Sequence, residues 1–509
     1  MSIPTSINTA ELEGIEARRV EIETDLHPGL PAFIIVGLAD KALSESKERI
    51  SAALKNSGVK PPSGENHRII VSLAPADIKK TGSHYDLGIA LGYLAASRQI
   101  APFPTNEYMF VGELALDGSL RPMAGALSIA KLARASNVAR LVVPRANARE
   151  AAMIPGVSVF GLGSITEVID HLEGRAHLEP EPQTTPVCAH TCEPTITDVR
   201  GQERAKRALC IAAAGGHNLL MIGPPGAGKT MLARAIVSLL PPPDIDEVVE
   251  MTQVHSAAGA LGQAGYIAQR PFRSPHQTAS AISVFGGGQN PKPGEISLAH
   301  RGVLFLDELP EFRRDVLESL RQPLESGEVY VTRVRGTVRF PAQCMLVAAM
   351  NPCPCGYYGD THKHCRCSPY EIIRYQKKIS GPLLDRIDIH LTIPRVTIEE
   401  LSGRVSEKSD DIASQILSAR KLQRQRLGVY GKHNNAQMSS KETERLSDAD
   451  EEALAVLRSS FEKGLLSARA YYRTLKVART IADLEASPRV LREHIAEAYG
   501  YRGQERSAG

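Results

Sequence analysis

The 509-residue sequence predicts an α/β protein in three parts. These are an N-terminal α/β domain (1–173), an αβα core built on a parallel sheet (196–395), and a C-terminal helical region (396–509). Three observations carry this reading. A glycine-rich loop, Gly223-Pro-Pro-Gly-Ala-Gly-Lys-Thr230, lies between the apolar run 219–222 and the helix-like run 231–240. A second apolar run, Gly302-Val-Leu-Phe-Leu-Asp-Glu308, ends in two carboxylates. Before residue 173 β-like and helix-like runs alternate, whereas beyond 396 the patterns are mostly helical.

In the N-terminal part the β-like runs are Val20-Glu-Ile-Glu, Phe33-Ile-Ile-Val, Arg68-Ile-Ile-Val-Ser-Leu and Arg140-Leu-Val-Val-Pro. Helix-like runs cover 41–57, 85–96 and 124–135. Residues 174–194 carry four prolines and no apolar period, so 174–195 reads as a linker. Lys and Arg total 60 against 57 Asp and Glu, a formal net charge of +3. Any nucleic-acid binding must therefore come from local basic patches. No run reaches membrane-spanning length and no basic, then apolar, leader opens the chain, so a cytoplasmic protein with no membrane partner is expected.

The loop has what phosphate binding requires. Gly223, Gly226 and Gly228 free the backbone to curl around an anion, and Pro224, Pro225 and Ala227 complete the candidate ligand set. Lys229 would offer a cationic head to nucleotide phosphates and Thr230 a hydroxyl to Mg²⁺, while the N-terminus of the next helix adds a favourable dipole. An ordinary glycine turn is the plain alternative, but it leaves the second motif unexplained. Asp307 is expected to hold Mg²⁺, usually through water, and Glu308 to polarise an attacking water, because phosphoryl transfer needs a metal and a positioned nucleophile. Alone, Asp307 and Glu308 would read as an acidic pair closing a strand.

Residues 328–340, Glu-Val-Tyr-Val-Thr-Arg-Val-Arg-Gly-Thr-Val-Arg-Phe, read as two β-branched strands around an Arg-Gly turn. Arg333, Arg335 and Arg339 make the distal part basic, suited to tracking a phosphate backbone without reading bases; a solvated hairpin is the alternative. Residues 257–299, rich in Gly, Ser, Gln and His, suit a mobile loop more than a core, with basic points at Arg270, Arg273 and Lys292. Further basic runs are Lys377-Lys378 and the stretch from Arg420 through Arg426, the latter read as a solvated helix face. Cys353, Cys355, Cys365 and Cys367 crowd into one segment around His362 and His364. Four soft ligands so close could close a tetrahedral, structural Zn²⁺ site, against reduced unliganded thiols or a redox role.

The motif set resembles the AAA+ ATPases of the magnesium-chelatase-like group, and more closely the ComM (YifB) family over nearly the whole chain. The carrying residues are Asp198-Val-Arg-Gly-Gln202, Pro271-Phe-Arg-Ser-Pro-His276, Pro293-Gly-Glu-Ile-Ser-Leu-Ala-His300, Asn351-Pro-Cys-Pro-Cys-Gly356 and Leu383-Leu-Asp-Arg-Ile-Asp388. The resemblance implies that Asn351 is a sensor orienting the attacking water or touching the γ-phosphate; by itself Asn-Pro is also a good turn after a strand. It implies that Arg386 is an arginine finger acting on a neighbouring subunit, hence a homo-hexameric ring; a salt bridge with Asp385 or Asp388 is the alternative. Arg469, opening a helix, matches the second sensor, with Arg473 and Arg479 nearby. Residues 199–202 would line the adenine site.

Residues 82–144, with Gly112-Glu-Leu-Ala-Leu-Asp-Gly118 and Gly125, are similar to the proteolytic domain of the Lon family. An ATP-dependent protease with a Ser-Lys pair is thus an alternative, yet Gly82-Ser-His-Tyr-Asp86 departs from the family's Gly-Pro-Ser-Ala-Gly, and Ile129 stands where the lysine is expected. Ser83 and Lys131 are near. Kinship with the chelatase raises Mg²⁺ insertion into a porphyrin, against which the N-terminal module and cysteine segment argue. Taken with the hairpin, the resemblance implies an ATP- and Mg²⁺-dependent DNA motor or helicase. Its partners would be single-stranded and branched DNA and recombination proteins, and its role branch migration during natural transformation.

Overall fold

A computed structural model describes residues 5–38, 40–64, 67–187, 194–288, 290–333, 336–396 and 409–502. The N-terminal part is built on a seven-stranded mixed sheet in the order Ala32–Val36, His67–Ala74, Glu16–Pro28, Thr5–Glu13, Tyr108–Phe110, Arg140–Pro144, Ser158–Leu162. Helix Asp86–Ala96 lies so close to the sheet that a Cβ on Gly88 would come 2.6 Å from Ile22 Cδ1, and one on Gly92 2.5 Å from Thr24 Oγ1. The four expected strands are present. The first expected helix is broken into Lys41–Ser44 and Ser46–Asn56. Thr5–Glu13 was not legible as a strand because Asn8, Ala10, Glu11 and Glu13 carry weak β preference. It is held by pairing antiparallel with Glu16–Pro28 on one side and parallel with Tyr108–Phe110 on the other.

The second part is a five-stranded, all-parallel sheet in the order Phe272–Arg273, Val303–Leu306, Met345–Met350, Leu219–Ile222, Ile389–Thr392. Successive side chains alternate between two buried layers. Leu219, Met221, Phe305 and Val347 join a cluster with Ala208, Leu232 and Ile236 of the helices Glu203–Gly215 and Lys229–Leu239. Leu220, Leu304, Leu346 and Ala348 join another with Val316, Phe340 and Leu383. Covered on both faces, these strands can be continuously apolar, which is how they read in sequence.

The C-terminal helices Ser409–Leu427, Ala468–Leu484 and Arg492–Gly500 share the first of these layers through Ile416, Ala478, Ile481 and Ile495. The basic run on Ser409–Leu427 is only in part a solvated face, with Lys421 and Arg424 exposed. Arg420 donates to Ala213 O (2.7 Å), Arg424 pairs with Asp244 (3.1 Å), and Arg426 pairs with the buried Asp483. Residues 257–299 likewise contain ordered elements: an edge strand, short helices at Ala281–Phe285 and Glu295–Leu298, and buried Val284, Ile296 and Ala299. Arg270 pairs with Glu247 and Arg273 with Glu295, each at 2.7 Å, so these basic points are structural.

Helix Ile245–Ala258 joins the two α/β parts. Asp244 and Glu247 form a reciprocal cap at its start, and Val248 and Met251 are buried in a cluster with Leu127, Ala130, Leu141 and Val143 of the N-terminal part. Gly125 N donates to Ser256 Oγ (2.8 Å), and that hydroxyl donates to the buried Glu150. Among the described residues no helix is long and apolar enough to cross a membrane.

Candidate nucleotide site

The glycine loop emerges from strand Leu219–Ile222 between two neighbours, which dictates its first residue. Gly223 N donates to Met350 O (3.2 Å), and a Cβ there would lie 2.4 Å from Ile393 O. Gly226 (φ +77°) and Gly228 (φ +82°) take the left-handed conformation that favours glycine, and a Cβ on either would meet nothing within 4 Å. The space over the loop is thus open. Helix Lys229–Leu239 starts directly behind it, so its unpaired first N–H groups lie at the loop. Gln202 Nε2 donates to Ala227 O (3.0 Å) and to Pro394 O (3.3 Å), bringing the 199–202 run against the loop.

Parallel pairing of Ile222 with Met350 places Asn351 level with Gly223, and strand Val303–Leu306, on the other side of Met345–Met350, delivers Asp307 and Glu308 to the same sheet end. Lys229 Nζ donates to Gly223 O (2.6 Å), Pro224 O (3.0 Å) and Asn351 Oδ1 (3.1 Å). Burial lowers its pKa, and nearby Asp307 and Glu308 oppose that shift. Its three bonded partners are neutral oxygens, so an arriving anion would complete its charge balance. Thr230 Oγ1 donates to Asp307 Oδ2 (3.0 Å), and Glu308 N donates to Asp307 Oδ1 (2.9 Å). Glu308 itself is exposed with φ +51°, a strained backbone for a non-glycine residue. An open cradle, a lysine without a full counter-charge and a hydroxyl–carboxylate pair fit a nucleotide with Mg²⁺.

The candidate arginines lie elsewhere. Arg386 is buried; its guanidinium donates to Arg321 O (3.0 Å) and Pro382 O (2.8 Å) and pairs with Glu325 (2.5 Å). Glu325 has its pKa lowered chiefly by that hydrogen bond and further by the charges of Arg386, Arg469 and Arg473. Arg469 is exposed, at the start of helix Ala468–Leu484. Arg473 pairs with the buried Asp388, and Arg479 with Asp483 (3.0 Å), also bonding backbone carbonyls. Glu325 was missed in sequence because nothing local links it to Arg386, 61 residues away.

Strands Glu328–Arg333 and Gly336–Pro341 form the antiparallel hairpin, with Val329, Val331 and Phe340 buried at its base. Arg339 pairs with Glu328 (3.3 Å). Arg335 and the side chain of Arg333 lie outside the described residues. Cys353, Cys355, Cys365 and Cys367 converge, with sulfurs all within 4.8 Å of one another, as a group able to hold a metal ion. In the N-terminal part Ser83 donates to Glu113 and Lys131 to Gln253 (2.8 Å), so these two side chains form no pair.

Three family profiles match along the chain: "Magnesium chelatase, subunit ChlI" over residues 195–401, "Subunit ChlI of Mg-chelatase" over 22–147, and "Magnesium chelatase, subunit ChlI C-terminal" over 406–502. The chain is 43% identical to the competence protein ComM of Haemophilus influenzae over 502 residues, 97% of this chain and 96% of that one. It is 42% identical to YifB of Escherichia coli, covering 98% and 97% of the two chains. To the magnesium-chelatase 38 kDa subunit of Rhodobacter capsulatus it is 26% identical over 313 residues, 58% of this chain and 82% of that subunit. With its parallel-sheet core, helical C-terminal region and phosphate loop, the chain belongs to the ComM/YifB family of magnesium-chelatase-like AAA+ proteins.

Proposed function

We propose that the chain is an ATP-driven motor that moves DNA through a homo-hexameric ring and promotes branch migration when imported DNA recombines in natural transformation. The observation that carries the ATPase reading is the meeting of Lys229, Thr230, Asp307, Glu308 and Asn351 at one end of the parallel sheet. In it, the loop amides and Lys229 bind and orient the phosphates, with Lys229 leaving the loop carbonyls to do so. Thr230 and Asp307 would hold Mg²⁺, which would supply neutralisation of phosphate charge. Glu308, exposed and in no ion pair among the described residues, receives a proton from the attacking water, and Asn351 orients that water.

Arg386 and Arg469 gather around Glu325 rather than at their own phosphate loop, an arrangement suited to serving the next subunit's nucleotide. The competence name of the Haemophilus relative and the hairpin with Arg333, Arg335 and Arg339 support DNA as the cargo and the cytoplasm as the place of action. The separate bonding of Ser83 and Lys131 argues against proteolysis.

The test is ATP hydrolysis with and without single-stranded and branched DNA, for the native chain, Lys229→Ala, and an Arg333→Ala/Arg335→Ala variant. We expect Lys229→Ala to lose at least about a hundredfold in rate, in line with removal of a main transition-state charge partner. DNA should stimulate the native chain and not the double variant. Turnover that depends on Lys229 but ignores DNA would sink the DNA reading and favour a protein substrate or a chelatase-like partner.

A further inference from the structure

Residues 352–368 form a segment with no helix or strand, next to the sheet end that carries Asn351. A stretch of this length without secondary structure is uncommon inside a compact domain and is a place to look for a function or a staple. At its centre the Cys353 sulfur lies 3.4 Å from that of Cys355 and 3.7 Å from that of Cys365, and those of Cys355 and Cys365 are 3.6 Å apart. Cys367 completes the group within 4.8 Å. None of the four is in a disulfide. A tetrahedral zinc with Zn–S bonds of about 2.3 Å needs sulfurs about 3.8 Å apart, close to the spacings observed.

Backbone N–H groups are directed at all four sulfurs. Tyr358 N donates to the Cys353 sulfur (3.3 Å). The backbone N–H groups of Tyr357 and Arg366 point at Cys355, that of Cys367 at Cys365, and that of Cys355 at Cys367. Such N–H donors are the outer-shell partners that orient and stabilise metal-bound thiolates. Four protein ligands would leave no open position, so a metal held there would be structural.

The segment also touches the nucleotide site. A Cβ on Gly356 (φ +84°) would lie 2.6 Å from Pro225 Cδ of the phosphate loop and 3.9 Å from Asn351 Cγ. We propose that Cys353, Cys355, Cys365 and Cys367 bind one zinc ion, and that the metal-closed loop braces Pro225 and Asn351 in the geometry that receives nucleotide. The second clause rests on the reading of the nucleotide site; the first does not.

Metal analysis of the full-length protein should find about one zinc per chain, released by a thiol-modifying mercurial. Cobalt(II) exchanged into the native chain should give the intense visible bands of a tetrahedral tetrathiolate, a reading of the ligand set that needs no variant. Cys365→Ser should weaken zinc binding by more than about tenfold, whereas Lys229→Ala should keep its zinc and lose affinity for a fluorescent ADP analogue. Removing zinc from the native chain should weaken that analogue's binding, and returning zinc should restore it. Absence of metal, iron in its place, or an octahedral cobalt spectrum overturns the site. Full zinc with nucleotide affinity indifferent to its removal overturns the bracing.

Discussion

His300 shows how a single buried residue can couple this fold to pH. Its Nδ1 accepts from Gln343 N (3.1 Å) while Nε2 faces Glu250 (3.2 Å), an arrangement that specifies the neutral ring with its proton on Nε2. Burial lowers its pKa; Glu250 and Glu247 oppose the shift and Arg301 reinforces it. Because the folded value lies below the unfolded one of about 6.5, the stability tied to the neutral ring is present above that pH and is lost as pH falls toward the folded value. The loss should approach about 1.4 kcal/mol per pH unit over that window. Urea midpoints at pH 8 and pH 5.5 check this: His300→Gln should show a smaller acid loss than the native chain, and equal losses would assign the acid sensitivity to other groups.

At the scale of elements, helix Ile245–Ala258 is the piece on which the architecture turns. One face enters the N-terminal core through Val248 and Met251, while His255 Nε2 donates to Leu298 O (3.0 Å) and Glu247 holds Arg270 on the ATPase side. A helix buried on both sides cannot show a clean apolar stripe, which is why its sequence did not announce a docking element. Met251 is fully buried, so Met251→Ala should cost about 2–5 kcal/mol by cavity formation. Because the cavity opens at the boundary between the two parts, denaturation should become broader or biphasic. A single transition merely shifted in midpoint would mean that the parts unfold as one unit.

For the whole molecule, the question is whether the arginines gathered at Glu325 serve another chain. Arg386 already bonds within its own chain, so acting in trans requires it to exchange Glu325 for a phosphate. Glu325 is 63% exposed at its side chain, which makes that exchange affordable in electrostatic terms. If each site combines one chain's Lys229 with its neighbour's Arg386, mixing inactive Lys229→Ala and Arg386→Ala chains should restore ATP hydrolysis at interfaces that keep both residues. No recovery on mixing, with exchange of chains verified, would place Arg386 in a purely structural role.

The phosphate loop, the acidic strand end and the apolar core strands were legible because their patterns are local: a glycine spacing, and continuous apolar runs that only a doubly covered sheet accepts. So were the change to helices after residue 396 and the clustering of four cysteines. The roles of charges were not legible in this way. Arg270, Arg273, Arg420 and Arg426 read as surface or ligand-seeking points, yet the first, second and fourth pair with carboxylates and Arg420 donates to a carbonyl, all distant in sequence. The strand Thr5–Glu13, the order of residues 257–299 and the approach of Gly356 to Pro225 were likewise decided only by tertiary structure. The reason is physical: backbone periodicity is written in neighbouring residues, whereas pairing, burial and electrostatic satisfaction depend on partners that only the folded chain brings together.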